Sequence, residues 1–404
     1  MRARIAVAAT LASATAFAQP LPDGDGAKLV TARCTQCHEL SRVTGAGYSA
    51  TEWRNVLDMM RNVGAAFSEA EAATLVSYLA QHYPEKPRPA AIRVEGPARV
   101  EIAEWTLPSP GARPHDPLMS RDGALWYTGQ FNNTLGRLDP RTGEFREYAL
   151  KTPKSGPHGL IEDDRGRIWF TANSAAYVGA LDPATGSVKE YPMPEADARD
   201  PHTPIFDARG RLWFTVQGGN RIGRIDPATG EVKLVTSLTP RSRPYGVKVD
   251  SKGVPFVVLF GTNKVARLDP ETMDIREFAL PEGARPRRLA ITPDDAIWYT
   301  DYARGFVGRL DARTGNVREW PSPGGPKSQP YGMATLDGVL WYSESNVKPN
   351  TLVRFDPKTE KFQTWEIPSG GGVIRHMHVR DHEIGIACSG VNRVGIVRVM
   401  APAS

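Results

Sequence analysis

Gly166-Arg167-Ile168-Trp169-Phe170-Thr171, followed after a short polar connection by Leu181-Asp182-Pro183, is the stretch that decides the fold. Similar segments recur from residue 99 onward. The aspartates of the equivalent tripeptides recur every 42–45 residues, at Asp139, Asp182, Asp226, Asp269, Asp311 and Asp356. Large aromatic residues recur in step with them, at Trp126, Trp169, Trp213, Phe256, Trp298 and Trp341. Self-similarity at a fixed period of this length is typical of repeat architectures.

Each repeat predicts four short strands. In the second repeat these are residues 159–162, 167–171, 177–181 and 188–191, with a turn at Asp182–Gly186. A four-stranded unit of this length is typical of a β-propeller blade. Six blades are complete. We expect a seventh from residues 384–387 and 394–399, closed by the N-terminal strand Val100–Trp105, which leaves no open edge. A six-bladed ring with an irregular tail is the alternative.

The repeat resembles the streptogramin (virginiamycin B) lyase family of seven-bladed propellers. The resemblance covers roughly residues 99–400. It is carried by Ser155-Gly156-Pro157-His158-Gly159-Leu160, by the Trp169-Phe170-Thr171 strand, by Leu181-Asp182-Pro183 and by Glu190-Tyr191-Pro192. It implies an all-β propeller, whereas a reaction must be argued from the residues of a site.

One position per blade, usually after a proline, opens the innermost strand, and innermost strands line the channel of a propeller. We therefore expect one mouth of the channel to be formed by His115, His158, His202, Tyr245, Arg287, Tyr331 and His376. Its three consecutive histidines could bind a metal or act as acid and base, or simply fill the channel. Arg285, Arg287 and Arg288 form either an anion-binding side of this mouth or a solvated surface.

The family resemblance implies catalytic histidines in two neighbouring blades, together with carboxylates that hold Mg²⁺. The matching residues here are His158 and His202, with Asp200 at the first acidic position. Gln217 stands at the second, where the family has glutamate. A match that uses His115 and His158 instead places Gly156 and Asn173 at the acidic positions. A Mg²⁺ site is therefore depleted in either alignment, because this hard cation prefers carboxylate oxygens.

A second motif, Cys34-Thr35-Gln36-Cys37-His38, predicts covalent attachment of one haem c. Each thiol would add to one vinyl group of the porphyrin, and the adjacent histidine would be the proximal iron ligand. A thioredoxin-like redox motif expects a βαβ setting, which the flanking sequence does not predict. A zinc site needs two further Cys or His ligands nearby, and the chain has only 3 cysteines.

The residues around this motif predict helices. Thr51 is the expected N-cap of one helix, with an apolar face that includes Trp53 and Met60. Ser68 begins a second helix with a capping box. Met60 is the predicted distal iron ligand, Met59 is the alternative, and His82 would give a bis-histidine iron. Residues 27–83 resemble small class I cytochrome c domains, a family that implies one-electron transfer.

The N terminus predicts a cleaved secretory signal at residues 1–18, with an apolar run after Arg2 and Arg4 and small residues before the cleavage site. An uncleaved anchor is the alternative. We expect a periplasmic protein with a cytochrome c domain at residues 19–84, a proline-rich linker at 85–98 and the propeller at 99–404. No later segment has the ~20 apolar residues of a membrane span.

Charge excludes one class of partner. The net charge of +5 arises from 50 Lys+Arg and 45 Asp+Glu, and no basic block predicts nucleic-acid binding. The sequence thus predicts one-electron transfer to or from a redox protein partner, beside a propeller that binds a small molecule or that partner. Alternatively, the propeller is an enzyme, either a dehydrogenase that reduces the haem or a carbon–oxygen lyase.

Overall fold

The computed structural model describes residues 21–400, so the predicted signal peptide lies outside the described residues. The chain forms two compact units. Of the described residues, the smaller contains 21–54 together with Ala65–Lys86, and the larger contains Asn55–Gly64 together with 87–400. None of the described helices has the length and apolar character needed to cross a membrane.

Residues 21–400 contain four α-helices: α1 (Asp25–Cys34), α2 (Ser41–Thr44), α3 (Ala50–Asn62) and α4 (Glu69–His82). The capping box predicted at Ser68 is confirmed, because Ser68 accepts from the N–H of Glu71 and the Glu71 carboxylate accepts from the N–H of Ser68. The predicted cap at Thr51 is wrong. Ser49 caps α3 instead, through the same reciprocal pair with Glu52.

Helices α1 and α4 pack against each other in the smaller unit. Their closest approach is at Gly26, where a Cβ atom would lie 2.3 Å from Tyr78, so this position requires glycine. Val30 and Leu75 are fully buried. Arg33 adds an ion pair to Glu71 with N···O 2.7 Å. Packing rather than helix propensity holds such short helices.

Apart from the second half of α3, the regular structure of the larger unit is made mainly of antiparallel strands. The first strand is β1 (Arg99–Thr106). The first sheet contains β2 (Pro114–Met119), β3 (Leu125–Gly129), β4 (Thr134–Asp139) and β5 (Glu144–Ala149). The second contains β6 (Pro157–Glu162), β7 (Ile168–Ala172), β8 (Tyr177–Leu181) and β9 (Val188–Pro192). The third contains β10 (Pro201–Phe206), β11 (Leu212–Val216), β12 (Arg221–Ile225) and β13 (Val232–Thr236).

The fourth sheet contains β14 (Pro244–Val249), β15 (Pro255–Leu259), β16 (Lys264–Leu268) and β17 (Ile275–Ala279). The fifth contains β18 (Pro286–Ile291), β19 (Ile297–Asp301), β20 (Phe306–Leu310) and β21 (Val317–Pro321). The sixth contains β22 (Pro330–Leu336), β23 (Val339–Glu344), β24 (Thr351–Asp356) and β25 (Lys361–Glu366). The last sheet contains β26 (Ile374–Arg380), β27 (Glu383–Cys388) and β28 (Arg393–Met400), with a short 3₁₀ helix at Ser389–Val391.

The described chain therefore forms a propeller of seven four-stranded sheets. The last sheet has the order β1-β28-β27-β26, so the N-terminal strand closes the C-terminal blade as predicted. Trp105 pairs with Val394, and the pairing continues to Arg99 and Met400. The six-bladed alternative is excluded. Joining the first and last strands in one sheet leaves no exposed seam between blades.

Two repeated features explain the conserved spacing within a blade. The tryptophan of the second strand is buried and stacks on an aromatic residue of the fourth, as for Trp169 and Tyr191 with ring centroids 5.2 Å apart. The Asp-Pro turn is closed by the aspartate, because Asp182 Oδ1 accepts from the N–H of Ala184 at 2.9 Å. Gly186 ends the turn with φ 74°, a conformation that favours glycine.

A hydroxyl on the second strand joins neighbouring blades. Thr171 Oγ1 accepts from the N–H of Gly159 at 2.9 Å in its own blade and donates to the carbonyl of His202 at 2.5 Å in the next. Equivalent pairs are made by Thr128, Thr215 and Thr300. Ser343 accepts from the N–H of Gly332 and donates to the carbonyl of Ile374, the first residue of β26. Because each hydroxyl bonds to a backbone carbonyl within the first two residues of the next inner strand, it helps to fix the position of the channel mouth.

The predicted linker is bound to the propeller over part of its length. Ala90 forms a bridge with Lys348. Val94 exchanges hydrogen bonds with Thr364 of β25 in both directions. The sequence indicated only a proline-stiffened segment here, since backbone pairing with a strand distant along the chain leaves no local pattern.

Candidate functional site

Each of the described inner strands starts with a residue that pairs with the end of the second strand, and a β-bulge follows it. A bulge re-aims the side chains next to it. The residue after the first position forms what we name the mouth ring: His115, His158, His202, Tyr245, Arg287, Tyr331 and Arg375. The next residue forms the second ring: Asp116, Gly159, Thr203, Gly246, Arg288, Gly332 and His376.

Six of the predicted mouth residues occupy the mouth ring, and His376 is displaced by one residue. Ile374 pairs with Cys388 just as Pro114 pairs with Gly129. Arg375 therefore takes the mouth position, and His376 lies buried in the second ring. The sequence misled because Ile374 replaces the proline that marks this position in the other blades.

The three consecutive histidines form one stack of tilted rings. The ring centroids of His115 and His158 are 3.7 Å apart, and those of His158 and His202 are 3.8 Å apart. All three side chains are buried. His202 continues the stack onto Tyr245 at 3.9 Å. His158 Nδ1 is buried and has no hydrogen-bond partner within the described residues.

Arginine and aromatic side chains form the other side of the mouth. The Arg287 guanidinium carbon lies 4.0 Å from the ring centroid of Tyr331 and 4.2 Å from that of Tyr302. It also faces Phe260 at 4.5 Å and Tyr245 at 5.3 Å. Tyr245 and Tyr331 share a hydrogen bond between their hydroxyls. Arg287 is thus held by aromatic faces.

Arg288 connects four blades through the second ring. It is 1% exposed. Its guanidinium donates to Thr203 Oγ1 at 2.8 Å, to Asp116 Oδ1 at 3.3 Å and to the backbone carbonyl of Arg375 at 3.0 Å. The interpretation of Arg288 as solvated surface is therefore wrong. Arg285 turns away from this cluster and donates to the carbonyl of Ala284.

Burial determines the protonation state of the mouth-ring histidines and of Asp116. It lowers the pKa of His115, His158 and His202 well below the usual value, and each is lowered further by neighbouring arginine or histidine side chains. These imidazoles are therefore neutral near pH 7. Burial raises the pKa of Asp116 to about 6, although Arg288 opposes that shift.

His115, Asp116 and His158 bring ligand atoms within 4.8 Å of one another and form a candidate metal site. His115 Nδ1 lies 2.8 Å from Asp116 Oδ1. Two neutral histidines and one carboxylate are a ligand set used for divalent transition metals. Arg288, hydrogen-bonded to the same carboxylate, opposes the binding of a cation there.

The matched acidic positions meet at the mouth without forming a carboxylate pair. Gln217 Nε2 donates to Asp200 Oδ2 at 3.2 Å, and Asn173 donates to the other carboxylate oxygen. Burial raises the pKa of Asp200 to about 7. Gln217 Oε1 accepts from Arg243 at 3.0 Å. One carboxylate engaged by two amides is a poor set for Mg²⁺.

Family comparison agrees with the architecture. The profile of the Virginiamycin B lyase family matches residues 92–268 and 235–401, which together exceed half of the chain. The chain belongs to the virginiamycin B lyase family. No curated protein sequence matches it.

Solved structures similar to the chain include other members of the virginiamycin B lyase family. Virginiamycin B lyase from Staphylococcus aureus is 24% identical with a TM-score of 0.69, over 75% of this chain and 100% of that one. A streptogramin B lyase structure is 24% identical with a TM-score of 0.68, over 74% and 98%. Kuenenia stuttgartiensis hydrazine synthase is 17% identical with a TM-score of 0.60, over 72% and 97%. At these identities the likeness shows the fold alone.

The cysteine motif lies before the part matched to the virginiamycin B lyase family. Cys34 is the last residue of α1, and a turn at residues 35–37 carries Cys37. Neither thiol is in a disulfide. His38 Nδ1 lies 3.2 Å from the carbonyl oxygen of Glu39, so a proton on Nδ1 leaves the Nε2 lone pair free for a metal. These residues fit covalent haem attachment.

The predicted distal ligands lie on α3. Trp53 and Leu57 are buried on this helix, and Met59 and Met60 are both partly buried. His82 is the last residue of α4, with its ring centroid 4.5 Å from that of Tyr78. Met60 as the ligand therefore stays a prediction.

Sequence reasoning missed Asp116, Thr203 and the hydroxyls that join the blades. The hydroxyls had a readable signal, because Thr or Ser follows the aromatic pair of the second strand in five repeats. Asp116 and Thr203 had none. A bulge places two successive residues of each inner strand near the channel, and the simple alternation of a strand predicts only one.

Proposed function

We propose that the N-terminal helical unit carries one covalent haem c and transfers single electrons, and that the propeller binds a small molecule or a redox protein partner at its mouth. The observation that carries the proposal is the placement of two cysteines directly before His38, with Cys34 at the end of α1 and Cys37 in the turn that follows. Two cysteines at this spacing with a histidine directly after them are the attachment motif of a c-type haem.

The residues of the motif divide the work of holding the group. Cys34 and Cys37 would supply the two thioether sulfurs, and His38 Nε2 would bind the iron from one side. The Glu39 carbonyl orients that imidazole by accepting from Nδ1. When bound, a haem c supplies a one-electron couple whose potential depends on its axial ligands.

Covalent attachment is tested by producing the full chain in a host with and without the cytochrome c maturation machinery. We expect a sharp reduced α-band only in the competent host, and its loss in a Cys34→Ser/Cys37→Ser variant. Cys388→Ser is the control, because this thiol is buried in the propeller core at 0% exposure. A colourless protein from the competent host would reject the electron-transfer proposal.

Met60 is proposed as the second axial ligand. Met60→Ala should lower the reduction potential and open a site for added imidazole, because a methionine ligand raises the potential of haem iron. Met59→Ala is the matched control on the same helix and should leave the potential unchanged. If the two variants exchange these results, Met59 is the ligand. Potentiometric titration with optical detection measures both.

The periplasm is the proposed location, since a secretory signal is predicted at residues 1–18 and haem c is attached after export. Removal of these residues should leave the chain unexported and without covalent haem. The proposed dehydrogenase form of the propeller is tested by substrate-dependent reduction of the haem, which a pure docking role would not give.

Carbon–oxygen lysis is the second candidate, and family membership together with His158 and His202 at the mouth favours it. Their ring centroids are 3.8 Å apart, and both imidazoles are neutral, which is the form that can accept a proton, although burial lowers the pKa of each and weakens it as a base. Gln217 in place of a carboxylate speaks against a Mg²⁺-dependent reaction. Linearisation of a streptogramin B antibiotic by the wild type, lost in His202→Ala, would favour the lyase. Its absence in the presence of Mg²⁺ would reject it.

A further inference from the structure

We propose that the mouth of the propeller binds a small oxyanion, a carboxylate or a phosphate group, between the guanidinium groups of Arg287 and Arg375. The inference rests on the proposed function only in taking the mouth as a binding site, and it is independent of haem attachment. Both arginines face Tyr331, with guanidinium carbons 4.0 Å and 5.9 Å from its ring centroid. An anion near Tyr331 would therefore meet both.

Neither arginine is in direct contact with a carboxylate. In residues 21–400 no carboxylate forms an ion pair with Arg287 or Arg375, and the Nε of each is buried without a hydrogen-bond partner. Asp116, the carboxylate of the second ring, contacts Arg288 and His115 through Oδ1, and Arg375 acts on it only at longer range. A buried N–H donor without an acceptor is destabilising, because it has lost its hydrogen bonds to water. A bound oxyanion would supply the missing charge and acceptors.

The surrounding aromatic rings prepare Arg287 for such a ligand. Tyr302, Phe260 and Tyr331 each lie within 4.5 Å of its guanidinium carbon, measured to their ring centroids. Contacts with ring faces attract the guanidinium and leave its N–H donors available for a ligand. The planar guanidinium is thus fixed in orientation, and its fork of donors matches the oxygens of a carboxylate or phosphate.

The remaining charges also favour an anion over a cation. The mouth histidines are neutral, because burial and nearby arginines lower their pKa. Lys248 adds positive charge beneath the rings. Burial alone would raise the pKa of Tyr331, but Arg287 and Arg375 lower it to about 8, which makes its hydroxyl a strong donor. An anion at the mouth would be attracted by the arginines, by Lys248 and by the Tyr331 hydroxyl, whereas a metal ion would be repelled by the positive charges of the arginines.

Calorimetric titration of the full chain with succinate and with inorganic phosphate, at constant ionic strength set by chloride, tests the inference. We expect one-to-one binding of at least one probe. Binding of succinate alone assigns a carboxylate ligand, binding of phosphate alone assigns a phosphate group, and binding of both supports the shared chemistry. Binding of neither overturns the inference, whether or not haem is attached.

Variants locate the site. Arg287→Gln and Arg375→Gln should each weaken binding at least about tenfold, as expected for the loss of a charged hydrogen-bond donor. Arg375→Lys keeps the charge and should weaken binding less. Arg141→Gln removes the same charge from an exposed turn and should leave affinity unchanged. Unaltered affinity in both glutamine variants would overturn the assignment.

A spectroscopic measurement protects the test from misfolded variants. In the wild type, the absorbance of tyrosinate should titrate with one group near pH 8, and saturating probe should move this step upward. The reason is that a bound anion offsets the two arginines that lower the pKa of Tyr331. If the saturating probe leaves the pH of this absorbance step unchanged, binding next to Tyr331 is contradicted.

Discussion

The helical unit and the propeller differ in which features of their sequences predict fold and which predict chemistry. In the helical unit a chemical hypothesis rests on five contiguous residues, Cys34–His38, while the surrounding helices are short and unremarkable in sequence. In the propeller the fold follows from positions 42–45 residues apart, while the chemistry depends on single ring positions that change from blade to blade. A contiguous motif thus allows the chemistry to be predicted without the fold, whereas a dispersed repeat allows the fold to be predicted without the chemistry.

The two units also differ in what stabilises them. The propeller buries histidines, arginines and carboxylates at its centre, where each must be neutral or paired. The helical unit buries mainly apolar side chains at the contact of α1 and α4. We therefore expect the propeller, and not the helices, to respond strongly to pH.

Acid should destabilise the propeller most. The mouth histidines and His376 have a folded pKa well below 6.5, so the unfolded chain binds more protons below that pH, and stability falls as the pH falls. Each contributes about 1 kcal/mol per pH unit. Asp116 and Asp200, with folded pKa values raised to about 6 and about 7, act in the opposite direction and offset part of this loss.

The net effect is a loss of roughly 3–6 kcal/mol between pH 7 and pH 5, measured by denaturant unfolding followed by tryptophan fluorescence. His202→Gln should reduce the slope by about one proton. His382→Gln is the control, because His382 is 77% exposed. A pH-independent unfolding free energy would contradict the buried neutral histidines.

Loss of one hydroxyl between blades should have a smaller effect. Thr171→Val leaves the N–H of Gly159 and the carbonyl of His202 without their partner, which costs about 1–3 kcal/mol when such groups are buried. Thr31→Val on the exposed face of α1 is the matched control. Equal unfolding free energies for wild type and Thr171→Val would show that the hydroxyl does not support the mouth.

These two predictions also mark what the sequence could and could not predict. The blades and the closure by Val100–Trp105 followed from periodicity, since the aspartate turn and the aromatic residue of the second strand recur every 42–45 residues. The identity of the mouth ring followed for six blades, because a proline marks the inner strand, and failed for Arg375, where Ile374 replaces it. The burial of Arg288 was unpredictable, because its partners Asp116 and Thr203 come from other blades.

The smallest predicted effect lies in the helical unit. Ser68→Ala removes the capping box of α4 and should cost about 1 kcal/mol. Circular dichroism of the helical transition measures it. Thr74→Ala, on the exposed face of the same helix, is the control. A loss of propeller stability in Ser68→Ala would contradict the expectation that this substitution affects only the helical unit.

The most direct test of the central proposal is the intact mass of the mature protein from a maturation-competent host. We predict a mass increase of one haem that survives acid denaturation, because thioether bonds to Cys34 and Cys37 would hold it. The increase should vanish in the Cys34→Ser/Cys37→Ser variant. An unmodified mass of the wild-type protein would contradict the proposal.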